Sequence, residues 1–201
     1  MTLATQLTMV RIVAIPVFMT AFLWNGTQLQ ADWGKVAATV VFIIAAITDY
    51  YDGAVARWYK EETPLGKFMD PIADKLLVST ALVAMVEYRA LTHIPSWAAI
   101  VIIGREFAVT GLRLICIPKG VLVESTSMAK WKTTAQLTWI ITALVFLSVR
   151  IGIETYHLHE QSYGFLNWNH GVILALTWVA VILTLVSGYD YFRKNWHLLD
   201  Q

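Results

Sequence analysis

The 201-residue chain is 57% hydrophobic and only 14% charged, with a formal net charge of +1 and a mean hydropathy of +0.58. Soluble globular chains are about 45–50% apolar and about 25% charged, so this composition excludes an ordinary soluble domain and indicates an integral membrane protein. The near-neutral charge, with no basic tract, offers no footprint for nucleic acid, and a single cysteine, Cys116, excludes an intramolecular disulfide.

Six apolar runs are long enough to span a bilayer core, which takes about 20 residues. They cover roughly 10–24, 36–57, 70–86, 94–116, 133–153 and 171–192. The pattern predicts an all-α, polytopic protein of six transmembrane helices, folded as one domain over residues 1–201. Residues 1–9 are too polar to join the first span and predict a short N-terminal interfacial helix. Pro16 is expected to bend the first span rather than end it. The run from Arg11 to Trp24 lacks an Ala-x-Ala-like site, which predicts no cleaved signal.

Lys and Arg set the expected orientation. With six spans, only Lys35, Arg89 and Arg150 fall on one side; the remaining basic residues fall on the side of both termini. That asymmetry places both termini at the cytoplasmic face of a bacterial-type inner membrane. Trp24, Trp33, Trp97 and Trp168 fall at the opposite ends, as an interfacial aromatic belt requires.

The second and third runs carry the chain's densest chemistry. Asp49-Tyr50-Tyr51-Asp52-Gly53-Ala54-Val55-Ala56-Arg57 is followed after eight residues by Gly66, then Asp70 and Asp74. At ~100° per residue, Asp49, Gly53 and Ala56 share one side of a helix with Asp52 beside them. Gly66, Asp70 and Asp74, spaced i, i+4, i+8, share one stripe of the next. If these helices run antiparallel, four carboxylates face one another, and burying them unpaired is costly. One or two divalent cations would stabilise them, and an all-oxygen donor set indicates Mg²⁺ or Mn²⁺ rather than zinc.

This pattern, D-x2-D-G-x2-A-R-x8-G-x3-D-x3-D, resembles the signature of the CDP-alcohol phosphotransferase family, with every position filled. The resemblance implies two metal ions on Asp49, Asp52, Asp70 and Asp74, with Asp74 also the general base. It further implies that Thr8, Gly53, Ala56, Arg57 and Gly66 bind CDP-diacylglycerol. Members are commonly homodimers, although nothing in these residues demands it.

A second constellation is basic. Gly104-Arg105-Glu106 and Gly111-Leu112-Arg113 sit in the fourth run, and Lys130-Trp131-Lys132-Thr133 with Gln136 opens the fifth. An Arg inside a membrane helix is expensive and points to function, and guanidinium forks suit phosphate oxygens. The plain alternative is that Arg105 pairs with Glu106 or an Asp, and that the lysines meet lipid headgroups. These segments, with Leu7–Arg11 and Ser187-Gly188-Tyr189, resemble the family branch whose acceptor is sn-glycerol 3-phosphate. That likeness implies that Arg105, Arg113, Lys130 and Lys132 bind the acceptor, and that the reaction transfers a phosphatidyl group from CDP-diacylglycerol with release of CMP.

Other readings stay open. Transferases of the same family could use inositol phosphate, serine or an amino alcohol as acceptor. A divalent-cation transporter would instead place its Asp near the bilayer midplane, often in repeated halves, and no repeat is visible. His157, His159 and Glu160 could hold a metal, but read better as an exposed loop between the fifth and sixth spans.

Overall fold

The computed structural model describes residues 3–24, 32–59, 64–116 and 127–195; among these, some side chains, including those of residues 3–8, 49–59, 64–71, 74 and 113–116, are outside the described set. Within it the chain is all-helical. The elements are α1 (Leu3–Leu23), α2 (Trp33–Tyr59), α3 (Pro64–Glu87), a single turn α4 (Arg89–Thr92), α5 (Ser96–Cys116), α6 (Ser127–Thr155) and α7 (His159–Asn195). The six long helices correspond one for one to the six apolar runs.

The expectation of a separate N-terminal interfacial helix is corrected. Residues 3–9 are the first turns of α1, which continues unbroken through Pro16 to Leu23. Polarity in this stretch did not interrupt the helix. Two helical segments among the described residues, Lys130–Thr155 and Trp168–Asn195, are long and apolar enough to cross a membrane, while Met9–Leu23 and Trp33–Thr48 are shorter apolar stretches.

Neighbouring contacts close the six long helices into a ring in the order α1, α2, α6, α7, α5, α3 and back to α1, with α3 also touching α6 across it. Aromatic and branched side chains fill the middle: Phe18, Phe22, Phe42, Leu82, Met85, Ile102, Trp139, Ile140 and Leu144 are all buried. Phe18 stacks on Phe22 at 5.4 Å between ring centroids, and Phe22 meets Tyr88 edge-on at 5.6 Å. Buried Ala38, Ala45, Ala81, Ala98, Ala143 and Ala180 let the helices approach closely, the packing that replaces hydrophobic drive between apolar helices. Gly34 is the tightest case. A β-carbon there would lie 2.5 Å from the carbonyl oxygen of Ala21, so α1 and α2 meet backbone to backbone.

One end of the ring gathers the end of α1, the start of α2, the end of α3 and the turn between α6 and α7. Asp32 and Lys35, both fully buried, form an ion pair there. Asp32 Oδ1 also accepts from the Lys35 backbone N–H at 3.3 Å. The Lys35 ammonium lies 4.7 Å from the Tyr88 ring centroid and 5.9 Å from that of Phe22. Lys35, which the count of positive residues assigned to this side, is thus fully buried here. Thr39 ties the same end of α2 to α6 through the Leu144 carbonyl at 3.3 Å and the Ser148 hydroxyl at 2.9 Å. The four tryptophans expected at this side, Trp24, Trp33, Trp97 and Trp168, are all exposed.

Both turns here close on a histidine in the left-handed region. His93 (φ 58°) ends α4, its N–H bonding to the Arg89 carbonyl. His157 (φ 54°) ends α6, with the Leu158 N–H reaching the Ile153 carbonyl at 3.0 Å. Each takes the place usually held by glycine at a helix C-terminus. His157 is exposed, as the loop reading expected. His159 and Glu160 are not loop residues but the first two of α7, so that reading is corrected for them; their side chains lie outside the described residues.

Two measurements check this end. Removing one member of a buried pair leaves the other charge orphaned, at a cost of about 3–5 kcal/mol. Asp32→Ala or Lys35→Ala should each sharply lower the unfolding midpoint in detergent, and the Asp32→Leu/Lys35→Met double variant should lose much less. A single variant as stable as the parent would show that the pair is dispensable.

His93 supplies the second. Burial, followed by His170 (ring centroids 4.8 Å apart) and Arg150, lowers its pKa below the ordinary 6.5. The unfolded chain then takes up a proton that the folded imidazole resists. Stability should therefore fall as pH drops below 6.5 and level off beneath the folded-state pKa. His93→Gln should flatten that part of the pH–stability curve, and an unchanged slope would exclude His93 as its source.

Candidate active site

The opposite end of the ring gathers the start of α1, the end of α2, the start of α3, the end of α5, the start of α6 and the end of α7. Asp49 and Asp52, with Gly53, Ala56 and Arg57, lie on α2; Gly66, Asp70 and Asp74 lie on α3. Asp49 and Asp74 each stand ten residues in from the helix terminus at this end, about 15 Å by the helical rise. The side chains of all eight, and of Thr8 and Arg113, lie outside the described residues. Both motif-bearing helices pack against α1. Among the described residues, no group of three His, Cys, Asp or Glu could hold a metal ion.

Arg11 of α1 is buried to 1% exposure. With Val10, Ala14, Ile44, Ala45 and Thr48 it lines a mostly apolar groove of about 120 Å³ between α1 and α2. Thr48, whose hydroxyl donates back to the Ile44 carbonyl at 2.8 Å, immediately precedes Asp49. The groove thus opens beside the first residue of the acidic motif.

The basic constellation is described in more detail. Arg105 and Glu106 are consecutive on α5, so their side chains leave the helix about 100° apart. Arg105 Nη2 donates to the Ser187 hydroxyl of α7 at 2.8 Å, and Nη1 reaches Glu106 Oε1 at 3.4 Å. Lys132 of α6 donates to the same Glu106 oxygen. The Arg105, Glu106 and Lys132 side chains are only 10%, 14% and 5% exposed. One carboxylate oxygen thus meets two cations in a desolvated setting. The plain alternative for Arg105, pairing with Glu106, is part of what the structure contains.

Supporting contacts pin the same helices. Thr110 donates to the Glu106 carbonyl at 2.7 Å, and Gln136 Nε2 bonds Thr184 Oγ1 at 2.9 Å, joining α6 to α7 one turn from Ser187. Lys130 differs from Lys132: it is exposed, beside exposed Trp131. Arg105 and Lys132 therefore come together, while Lys130 stands at the surface of the same end.

Sequence reasoning gave Glu106 only the part of a possible partner for Arg105 and assigned no role to Ser187 or Gly188. Glu106 had a visible signal, a carboxylate in a segment whose other charges are two arginines. Ser187 and Gly188 had only local pattern, because their meaning depends on α7 lying beside α5.

Comparison with known proteins bears on the whole chain. A family model for CDP-alcohol phosphatidyltransferase matches residues 1–186. The CDP-diacylglycerol–glycerol-3-phosphate 3-phosphatidyltransferase of Bacillus subtilis is 39% identical, the alignment covering 98% of this chain and 96% of that protein. The protein of the same name from Cereibacter sphaeroides is 35% identical, covering 94% and 92%. A probable phosphatidylglycerophosphate synthase from Mycobacterium tuberculosis is 36% identical, covering 96% and 80%.

Proposed function

Because the chain belongs to the CDP-alcohol phosphatidyltransferase family, we propose that it transfers the phosphatidyl group of CDP-diacylglycerol to sn-glycerol 3-phosphate, giving phosphatidylglycerophosphate and CMP. The observation that carries this reading is near full-length similarity to relatives named for that reaction. The structure adds a compatible layout. Acidic and basic constellations occupy opposite arcs of one ring, α2–α1–α3 and α6–α7–α5, at the same end.

In the reaction, the free primary hydroxyl of glycerol 3-phosphate attacks the phosphorus that carries the diacylglycerol. The bond from that phosphorus to the CMP oxygen breaks, and CMP leaves with the electron pair. Asp74 takes the hydroxyl proton, a task favoured by neighbouring carboxylates that raise its affinity for a proton. Arg57 holds the nucleotide phosphates, and Gly53, Ala56 and Gly66 leave space for the nucleotide against the helix backbones, with Thr8 beside it. Arg105, Arg113, Lys130 and Lys132 hold the acceptor phosphate.

The family generally uses divalent metal ions. Asp49, Asp52, Asp70 and Asp74 form a hard, all-oxygen donor set on α2 and α3, which suits two Mg²⁺ or Mn²⁺ ions. Bound there, such ions supply charge neutralisation at the pyrophosphate. The six long helices would each cross the inner membrane, with both termini and this site at the cytoplasmic face. The acyl chains then remain in the bilayer while the headgroup reacts.

Two tests follow. Purified protein supplied with CDP-diacylglycerol and glycerol 3-phosphate should lose activity on chelation and regain it with Mg²⁺ or Mn²⁺. Asp49→Asn, Asp52→Asn and Asp70→Asn should each cut turnover by more than ~100-fold, since each removes a charge the ions require. Near-normal turnover in any of them at saturating metal removes that residue from the site.

The acceptor phosphate gives the other. A hydrogen bond to a charged group contributes ~1.5–3 kcal/mol, roughly 10- to 150-fold in affinity. Arg105→Ala should raise KM for glycerol 3-phosphate by about that factor and KM for CDP-diacylglycerol far less. Inositol phosphate, serine or an amino alcohol turning over faster than glycerol 3-phosphate would reassign the acceptor.

A further inference from the structure

Arg105 is held on three sides by groups that belong to neither the acidic motif nor the proposed substrate contacts. Its Nη2 donates to the Ser187 hydroxyl at 2.8 Å, and Ser187 is itself buried to 1% exposure. The next residue of α7, Gly188, lies against the aliphatic stem. A β-carbon at Gly188 would sit 3.1 Å from Arg105 Cγ and 3.4 Å from Nε, closer than such contacts ordinarily come. Glu106 engages the remaining terminal nitrogen and holds the Lys132 ammonium through the same oxygen. Groups of α5 and α7 therefore hold the guanidinium, and α6 joins them through Lys132 on Glu106.

We infer that Ser187 and Glu106 are positioning residues, which hold Arg105 and Lys132 as a preformed anion-binding pair, with Gly188 leaving the space in which the arginine stem lies. This rests on the reading of Arg105 and Lys132 as acceptor-phosphate ligands. The physical reason is conformational. A free arginine carries about 2 kcal/mol of rotamer entropy, and two unshielded cations this close repel. Fixing the fork with a neutral hydroxyl acceptor restrains it without cancelling its charge. Glu106 offsets the mutual repulsion and holds the two cations to one carboxylate oxygen. Preformed geometry of this kind lowers the entropic cost of binding and is sensitive to displacements of about 1 Å.

The test is a pair of double-mutant cycles read as steady-state constants for each substrate. Ser187→Ala should raise KM for glycerol 3-phosphate about tenfold, with kcat and KM for CDP-diacylglycerol within about twofold of the parent. In an Arg105→Ala background, Ser187→Ala should change nothing further, because the group it positions is gone. Ser187→Thr, which keeps the hydroxyl, should recover much of the loss. Glu106→Gln should likewise raise the acceptor KM alone and add little to Lys132→Met, which carries the test should Ser187→Ala fail to fold. Effects of Ser187→Ala and Arg105→Ala that simply multiply, or equal shifts in both substrates' KM, would overturn the inference and leave these residues structural. An acceptor KM unmoved by Arg105→Ala itself would instead overturn the acceptor reading, a separate outcome.

Discussion

A charge inside a bundle of apolar helices persists only where another group answers it, because desolvation costs more than an isolated ion can recover. That constraint shapes both ends of this ring. At one end Asp32 and Lys35 answer each other completely, beneath two aromatic faces and out of contact with water. At the other, Glu106 answers two cations at once. The first arrangement is sealed among apolar and aromatic side chains. The second ties α5, α6 and α7 together at the end of the ring where α2 and α3 carry the acidic motif.

The closed ring gives α1 an unusual part. It carries almost no charge, yet it packs against both helices that bear the acidic motif. Its contact with α2 is set by Gly34 near one end, and its groove with α2, lined by Arg11, lies near the other. The basic arc has no equivalent spine. There α5, α6 and α7 are joined by polar pairs, Gln136 with Thr184, Arg105 with Ser187 and Lys132 with Glu106. Apolar packing runs through both sides of the ring, and the basic side adds these directional bonds to it.

The six long helices were legible because a run of apolar residues long enough to cross a bilayer has few alternatives to helix. Their ends were not. Hydropathy registers the apolar layer, whereas α2 continues past it to Tyr59 and α7 starts at His159, twelve residues before the apolar run. Residues 3–9 were read as a separate helix for the same reason. The acidic motif stood out from spacing alone, since only an i, i+3, i+4 pattern makes those carboxylates neighbours. The burial of Lys35 left no local trace, because it depends on Phe22 and Tyr88, which reach it only once three helices have packed. The partnership of Glu106 with Lys132, 26 residues away, likewise depends on the lateral order of helices, which no local pattern encodes.

The two charged clusters also differ in when each becomes possible. A chain is made from its N-terminus, and its early segments pack while later ones are still being synthesised. Asp32, Lys35, Phe22 and Tyr88 all lie within the first 88 residues, so the sealed pair can form while the ribosome is still building α5. The hold on Arg105 waits for Ser187, in the last helix to emerge. The contact between Arg105 and Ser187 therefore marks completion of the ring. Until it forms, the chain carries its acidic motif and the Glu106–Lys132 pair without the contact from α7 that holds Arg105.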